Sequence, residues 1–210
     1  MQPDRLVAIN AAPSPLFEAA RPLLDALATM PVELDVAQAD VLHARLEQEV
    51  ISFQSVCQDA KLRYEYIVIA SYTLCAALDE AAGKTVWGGA QSTEVGTWAN
   101  RQLAVRFHGD TKGGQSVFRM IGFMAGRLRD FPDLLDPLEL ASVILGLGFE
   151  GAYRQSPKGQ RILDDMRYRV LSIVDTARRA GPEHLLVHWQ GVERFIGESL
   201  AGRSRTRPLA

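Results

Sequence analysis

The stretch SYTLCAALDEAAGKTVWG, residues 71–88, decides the fold. It starts as a helix with an apolar stripe and closes on two adjacent carboxylates, Asp79 and Glu80. A turn at Gly83 follows, then Trp87 and Gly88. A carboxylate at the end of a greasy helix is costly to bury without a partner. This corner therefore bears on the fold, on partner binding, or on both.

Working outward, the helix over 63–82 places Tyr64, Ile67, Ser71, Leu74 and Leu78 on one side. Ala70, Ala76 and Ala77 keep its other faces thin, so neighbouring helices approach closely. Upstream, 36–60 reads as a helix with Leu42, Leu46, Val50, Phe53 and Cys57 at four- and three-residue spacing and a charged opposite face. Before that, Ser14 followed by Pro15 signals a helix start, and Pro31 ends the helix. Pro22 inside it predicts a kink or a split. Residues 1–13 read as a flexible lead-in. Helices of this kind joined by short links make a bundle.

Downstream of Trp87 lies a polar, turn-rich segment, then a short helix carrying Trp98, Leu103 and Val105, and a loop over 106–116. The spacing of Val117, Met120, Ile121, Met124 and Leu128 predicts a helix over 115–130. Asp136, Pro137 and Glu139 form a helix start of cap, first-turn proline and third-position carboxylate. The run LELASVILGLGF that follows is apolar nearly all round, which predicts the most buried element. A last long helix spans 157–180, with Leu163, Met166, Val170, Ile173 and Val174 inward. Residues 181–210 form a weakly structured tail, with at most a helical turn over 185–189. No repeat and no strand set emerges, so the fold class is all-α.

The 210 residues suffice for one sizeable core or two small ones fused together. Hydrophobic residues at 47% and charged residues at 23% match an ordinary soluble globular protein, and a net charge of −2 argues against nucleic-acid binding. Cys57 and Cys75 sit in apolar helical runs without C-x-x-C spacing and read as small buried hydrophobes in a reducing compartment. The first residues lack the apolar core of a signal peptide, and no run of about 18 or more apolar residues occurs.

Motifs for chemistry fail one by one. Gly146, Gly148 and Gly151 spell G-x-G-x-x-G, but a capped helix precedes them where a dinucleotide fold needs a strand. GDTKGGQS, 109–116, has Lys112 among glycines but no Lys-Ser or Lys-Thr pair to make a phosphate loop. His184 and His188 lie four apart, but no Glu follows the first in the H-E-x-x-H manner and no cysteine cluster offers further ligands. His108 has no accompanying nucleophile motif and reads as a loop residue bonded to backbone. Neither a catalytic set, a cofactor nor a metal is expected. Asp79 and Glu80 keep two readings: they bind backbone amides or an Arg and set how the helix meets the next loop, or they line a groove that receives a basic or helical partner.

Several motifs occur in order: Ala77-Leu78-Asp79-Glu80-Ala81, Trp87-Gly88, Trp98, Leu103, Phe107-His108-Gly109, Gly113-Gly114, Phe118, Leu138-Glu139-Leu140, and Leu147-Gly148-Phe149-Glu150-Gly151 with Tyr153-Arg154. Together, over 14–178, they resemble the TssL proteins of type VI secretion, kin to DotU (IcmH) of type IVB secretion. Ser14-Pro15-Leu16 looks like that family's entry. The resemblance implies an all-helical cytoplasmic domain over 14–180, two three-helix bundles forming a hook, with Trp87, Trp98, His108, Gly148, Phe149, Glu150, Gly151 and Tyr153 as structural motif residues. It implies an inner-membrane scaffold without enzymatic chemistry, joining TssM (IcmF-like) and TssJ proteins to a baseplate that includes TssK, with homodimerisation open. It also implies a single transmembrane helix after the domain. This chain ends at Ala210 without one, so the expectation is a soluble piece of a longer protein, a naturally soluble variant being the alternative. Arg203, Arg205 and Arg207 then stand just inside the membrane, as the positive-inside tendency asks. The alternative function is a nucleotide- or metal-dependent enzyme or sensor built on 109–116 or 146–151.

Overall fold

The computed structural model describes residues 3–89, 98–110 and 113–181. Every regular element among them is helical: α1 (Pro3–Ala11), α2 (Pro15–Ala28), α3 (Val36–Asp59), α4 (Tyr64–Gly83), α5 (Leu103–His108), α6 (Gly113–Arg127), α7 (Leu135–Gly146) and α8 (Gly159–Ala180), with 3₁₀ turns at Pro132–Leu134 and Gly151–Tyr153.

Helix α4 is the hub. Its small and apolar residues are buried on nearly every side, from Tyr66 and Ile67 through Leu74, Cys75 and Leu78 to Ala82. It packs against α2 and α3 on one side and against α5, α6 and α7 on the other. Ala70, Ala76 and Ala77, all buried, are what let five helices crowd one axis. The run in α7 was expected to hold this central place. It is well buried at Leu138, Leu140, Ile144 and Leu145, and packs on α8, α2 and α4, but Leu147 beyond it is exposed and Val143 only half-buried. Small residues, not hydrophobic density, mark the hub.

The first thirteen residues depart from the expected lead-in. Pro3–Ala11 is helical, and Ile9 is fully buried. Arg5 fixes this helix by donating to Ser52 Oγ in α3 at 2.9 Å and to the Ala19 carbonyl in α2 at 3.0 Å. One buried isoleucine and one anchoring arginine are too sparse a periodicity to read in nine residues. Helix α2 runs unbroken through Pro22. Trp98 stands in a turn ahead of α5, not on a helix, and Val105 is 40% exposed. The segment expected as loop over 106–116 instead ends α5 and begins α6.

The carboxylate of Asp136 also differs from expectation. Helix α7 grows out of the 3₁₀ turn, with Leu134 at its cap position, so Asp136 has no capping role on its own helix. It reaches α2 instead, accepting from the Leu16 amide at 3.0 Å and from Ser14 Oγ. Ser14, placed as the cap of α2, makes no side-chain bond to its own helix. Pro15 holds the expected first position. Arg178 of α8 completes this corner by bonding Glu139 and donating to the Pro13 carbonyl. The start of α2 is thus held by two distant helices.

Asp136→Ala is expected to destabilise the chain by about 1–2 kcal/mol, the range for losing a helix cap. Urea denaturation measures it; a loss under about 0.5 kcal/mol, ordinary for a surface change, would show the contact to be incidental.

Candidate functional site

Asp79 and Glu80 occupy consecutive positions on α4, so their side chains leave the axis about 100° apart. Each meets a different part of the chain. Asp79 is buried, and its carboxylate accepts three hydrogen bonds: Trp98 Nε1 to Oδ1 at 3.0 Å, the Leu103 amide to Oδ1 at 2.8 Å and the Ala104 amide to Oδ2 at 2.8 Å. Helix α5 has no cap of its own, since Gln102 makes no side-chain bond there. The first amides of a helix lack internal partners and carry partial positive charge. Asp79 satisfies both needs from another helix. Burial pushes its pKa up, opposed by the Ala104, Leu103 and Trp98 bonds; three donors and no acceptor face it, which suits the ionised form.

Glu80 does the same for the next corner. Its oxygens accept the amides of Glu150, at 2.8 Å, and Gly151, at the start of the 3₁₀ turn. Lys84, one turn along α4, lies 2.8 Å from Glu80 and 3.0 Å from Glu150, and donates to the Gly148 carbonyl at 3.1 Å. The Gly114–Gly151 approach explains two of the glycines that resembled cofactor loops. Gly151 has φ +49°, and a Cβ on Gly114 would stand 2.9 Å from the Gly151 Cα. Helix α6 meets the turn backbone to backbone. Phe118, Phe149 and Tyr153 close over this contact, the Tyr153 ring edge-on to Phe118 at 4.7 Å.

Trp98 is 2% exposed and is wedged edge-on between His43 of α3, 4.9 Å away, and Trp87, 5.6 Å away. His43 Nε2 donates to the Arg101 carbonyl at 2.7 Å, and Trp87 Nε1 donates to the Pro31 carbonyl at 3.0 Å. The end of α4, the α2–α3 link and the segment before α5 are therefore one aromatic joint. His43 is the member sequence reasoning missed. Its position on the buried stripe, four residues before Glu47, was the available signal.

His108 ends α5, and its partner is a side chain, not the expected backbone. Nε2 lies 3.1 Å from Ser71 Oγ, which also accepts from Gln54 Nε2 at 2.9 Å. The ring stands edge-on to Tyr72, whose hydroxyl donates to Asp110 at 2.6 Å. A serine beside a histidine is the geometry of nucleophilic catalysis, but Ser71 is 1% exposed and the nearby carboxylate faces Tyr72 and Ser116 instead of the ring. The contact fastens α5 to α4. Cys57 and Cys75 are buried free thiols, and burial pushes Cys57 up to about 12, far from reactive. Among the described residues no three metal-ligating side chains gather. Lys112, His184 and His188 lie outside the described residues.

Between α4, α5, α6 and the 3₁₀ turn at Gly151 opens a cleft of about 270 Å³. Asp79, Glu80 and Asp110 line it, with Ala76, Gly83, Ala104, Phe149 and Arg154. The two carboxylates singled out in the sequence do sit at a groove, with their oxygens already engaged by the protein's own amides.

Burial holds His108 below its usual pKa of 6.5. Between that lowered value and 6.5 the unfolded chain takes up a proton that the folded chain refuses, so stability falls as pH drops through this window. His108→Gln removes that term. Its melting temperature is expected to fall less than that of the parent chain between about pH 7.5 and about pH 5.5, read by circular dichroism; equal falls would contradict the assignment.

The family model described as "Type VI secretion system protein DotU" matches residues 15–205. Among solved structures, the chain is similar to TssL from Vibrio cholerae, with a TM-score of 0.64 and 26% identity, over 79% of this chain and 98% of that one. No curated protein matches. The all-helical fold, the ordered motifs and the matched family model agree: the chain belongs to the DotU family of type VI secretion system proteins.

Proposed function

We propose that this chain is a docking scaffold of a type VI secretion membrane complex, standing on the cytoplasmic face of the inner membrane and joining TssM- and TssJ-type proteins to a baseplate that includes TssK. It does this by binding alone. The membrane attachment follows the domain as a single helix; none of the described helices is long and apolar enough to cross a bilayer.

The cleft between α4, α5 and the turn at Gly151 carries this reading. Its walls are short elements that the fold immobilises at unusual cost: α5 is six residues long and the turn three, each fixed through two backbone amides by a carboxylate of α4. Rigid walls around a concave, part-apolar surface suit recognition, since a surface that is already ordered loses less entropy when a partner docks. Asp79 and Glu80 serve docking by holding those walls in place. Arg5 fastens Pro3–Ala11 to α2 and α3, and Arg178 fastens the last turn of α8 to the residue before Ser14.

Gly83 offers the cleanest test. It lines the cleft, and a side chain there would project into open space. Gly83→Phe is expected to keep the helical circular dichroism and melting temperature, and to lower capture of the baseplate partner in a pull-down by about tenfold, the effect of about 1.4 kcal/mol. Unchanged capture by a folded variant would remove the cleft from the account.

A further inference from the structure

The charges presented at the cleft are not those the sequence advertises. Asp79 is saturated by three donors, Glu80 by two amides and Lys84, and Asp110 by Tyr72 and Ser116. Arg154, on the same cleft, is exposed, and its side chain has no hydrogen-bond or ion-pair partner among the described residues. The same holds for Lys158 and Arg161. Two successive tight turns, Ser156 amide to Tyr153 carbonyl and Gly159 amide to Ser156 carbonyl, keep these three cations on one compact corner. Residues 151–163 contain no acid.

The rest of α8 behaves differently. Arg167, Arg169 and Arg179 pair with Asp164, Asp165 and Asp175 of the same helix, and Arg178 pairs with Glu139. Arg161 has Asp164 and Asp165 within one turn, but Asp164 is taken by Arg167 and Gln160, and Asp165 by Arg169. The helix pairs its other four arginines but leaves Arg161 in its first turn unpaired, and the side chains of Lys158 and Arg154 just before it are unpaired as well, with Arg154 lining the cleft.

We propose that Arg154, Lys158 and Arg161 form the recognition edge of the cleft for an acidic protein segment, whose apolar side chains enter beside Phe149 and Ala104. This rests on the docking role of the cleft and names the partner's charge: acidic, not basic. The surroundings favour a peptide over other polyanions. The exposed residues among the cations are Gln155, Pro157 and Gln160, none of which would insert into a lipid surface. The aromatic rings nearby, Phe149 and Tyr153, are buried and offer nucleic-acid bases no stacking platform.

The test uses the 210-residue chain and a fluorescein-labelled peptide of repeated glutamate, alanine and leucine, followed by anisotropy. Two triple reversals are compared with the parent: Arg154→Glu with Lys158→Glu and Arg161→Glu, and a remote control, Arg45→Glu with Lys61→Glu and Arg129→Glu. The proposal expects binding that weakens with salt, falls about tenfold in the first variant and changes little in the control. Equal loss in both variants, or none in the first with its melting curve intact, overturns it. Anionic vesicles and a single-stranded oligonucleotide are run alongside; binding of either through the same three cations, without binding of the peptide, also overturns it. If Gly83→Phe abolishes partner capture while reversal of the three cations leaves capture and peptide binding unchanged, docking at the cleft stands and the acidic partner falls.

Discussion

The carboxylate of Asp79 on the first amides of α5 is the contact the rest of this structure depends on. Taking a carboxylate out of water is expensive, and an apolar helix end is a poor place for one. The expense is offset because the acceptor meets three donors, two of them the amides of a helix start that has no cap of its own. Charge and partial charge solve each other's problem. A short helix that would be marginal alone is thereby fixed against the centre of the fold.

The device recurs. Glu80 engages the amides of Glu150 and Gly151, and Asp136 engages the Leu16 amide and Ser14 hydroxyl. In each case the start of an element is held by an acid from a different element. Among the described helix caps, only that of α3 uses the local arrangement, the Asp35–Gln38 capping box. Capping from a distance has a consequence that local capping lacks: it fixes where an element sits as well as whether it forms. That converts short elements into rigid walls, while the polar atoms that built them are withdrawn from solvent. Under the proposed docking role, what is left to meet a partner is the group of Arg154, Lys158 and Arg161, at the corner that Arg154 shares with the cleft.

Much of this was legible in residue order, and the limits have physical causes. Helical periodicity placed α3, α4, α6 and α8 within a few residues, because an apolar stripe every three or four positions has one cheap solution. The acidic corner was visible as an anomaly, and the two ways to explain it could be stated. The identity of its partners could not be, since Leu103, Ala104, Glu150 and Gly151 contribute backbone amides that leave no trace in side-chain pattern. Asp136 misled for the same reason. Its spacing from Pro137 and Glu139 fits a local cap, and only the folded chain brings α2 close enough to compete for it. The glycines misled in the opposite sense: Gly114 and Gly151 serve backbone contact between elements, which resembles a ligand loop when seen one residue at a time.

Hydrogen exchange of individual amides tests the central claim directly. In Asp79→Asn, protection at Leu103 and Ala104 is predicted to fall while Glu150 and Gly151 keep theirs; Glu80→Gln is predicted to give the converse. If protection at these four amides is unchanged, or if each variant loosens both sites equally, the two carboxylates are not separate distant caps and the account fails.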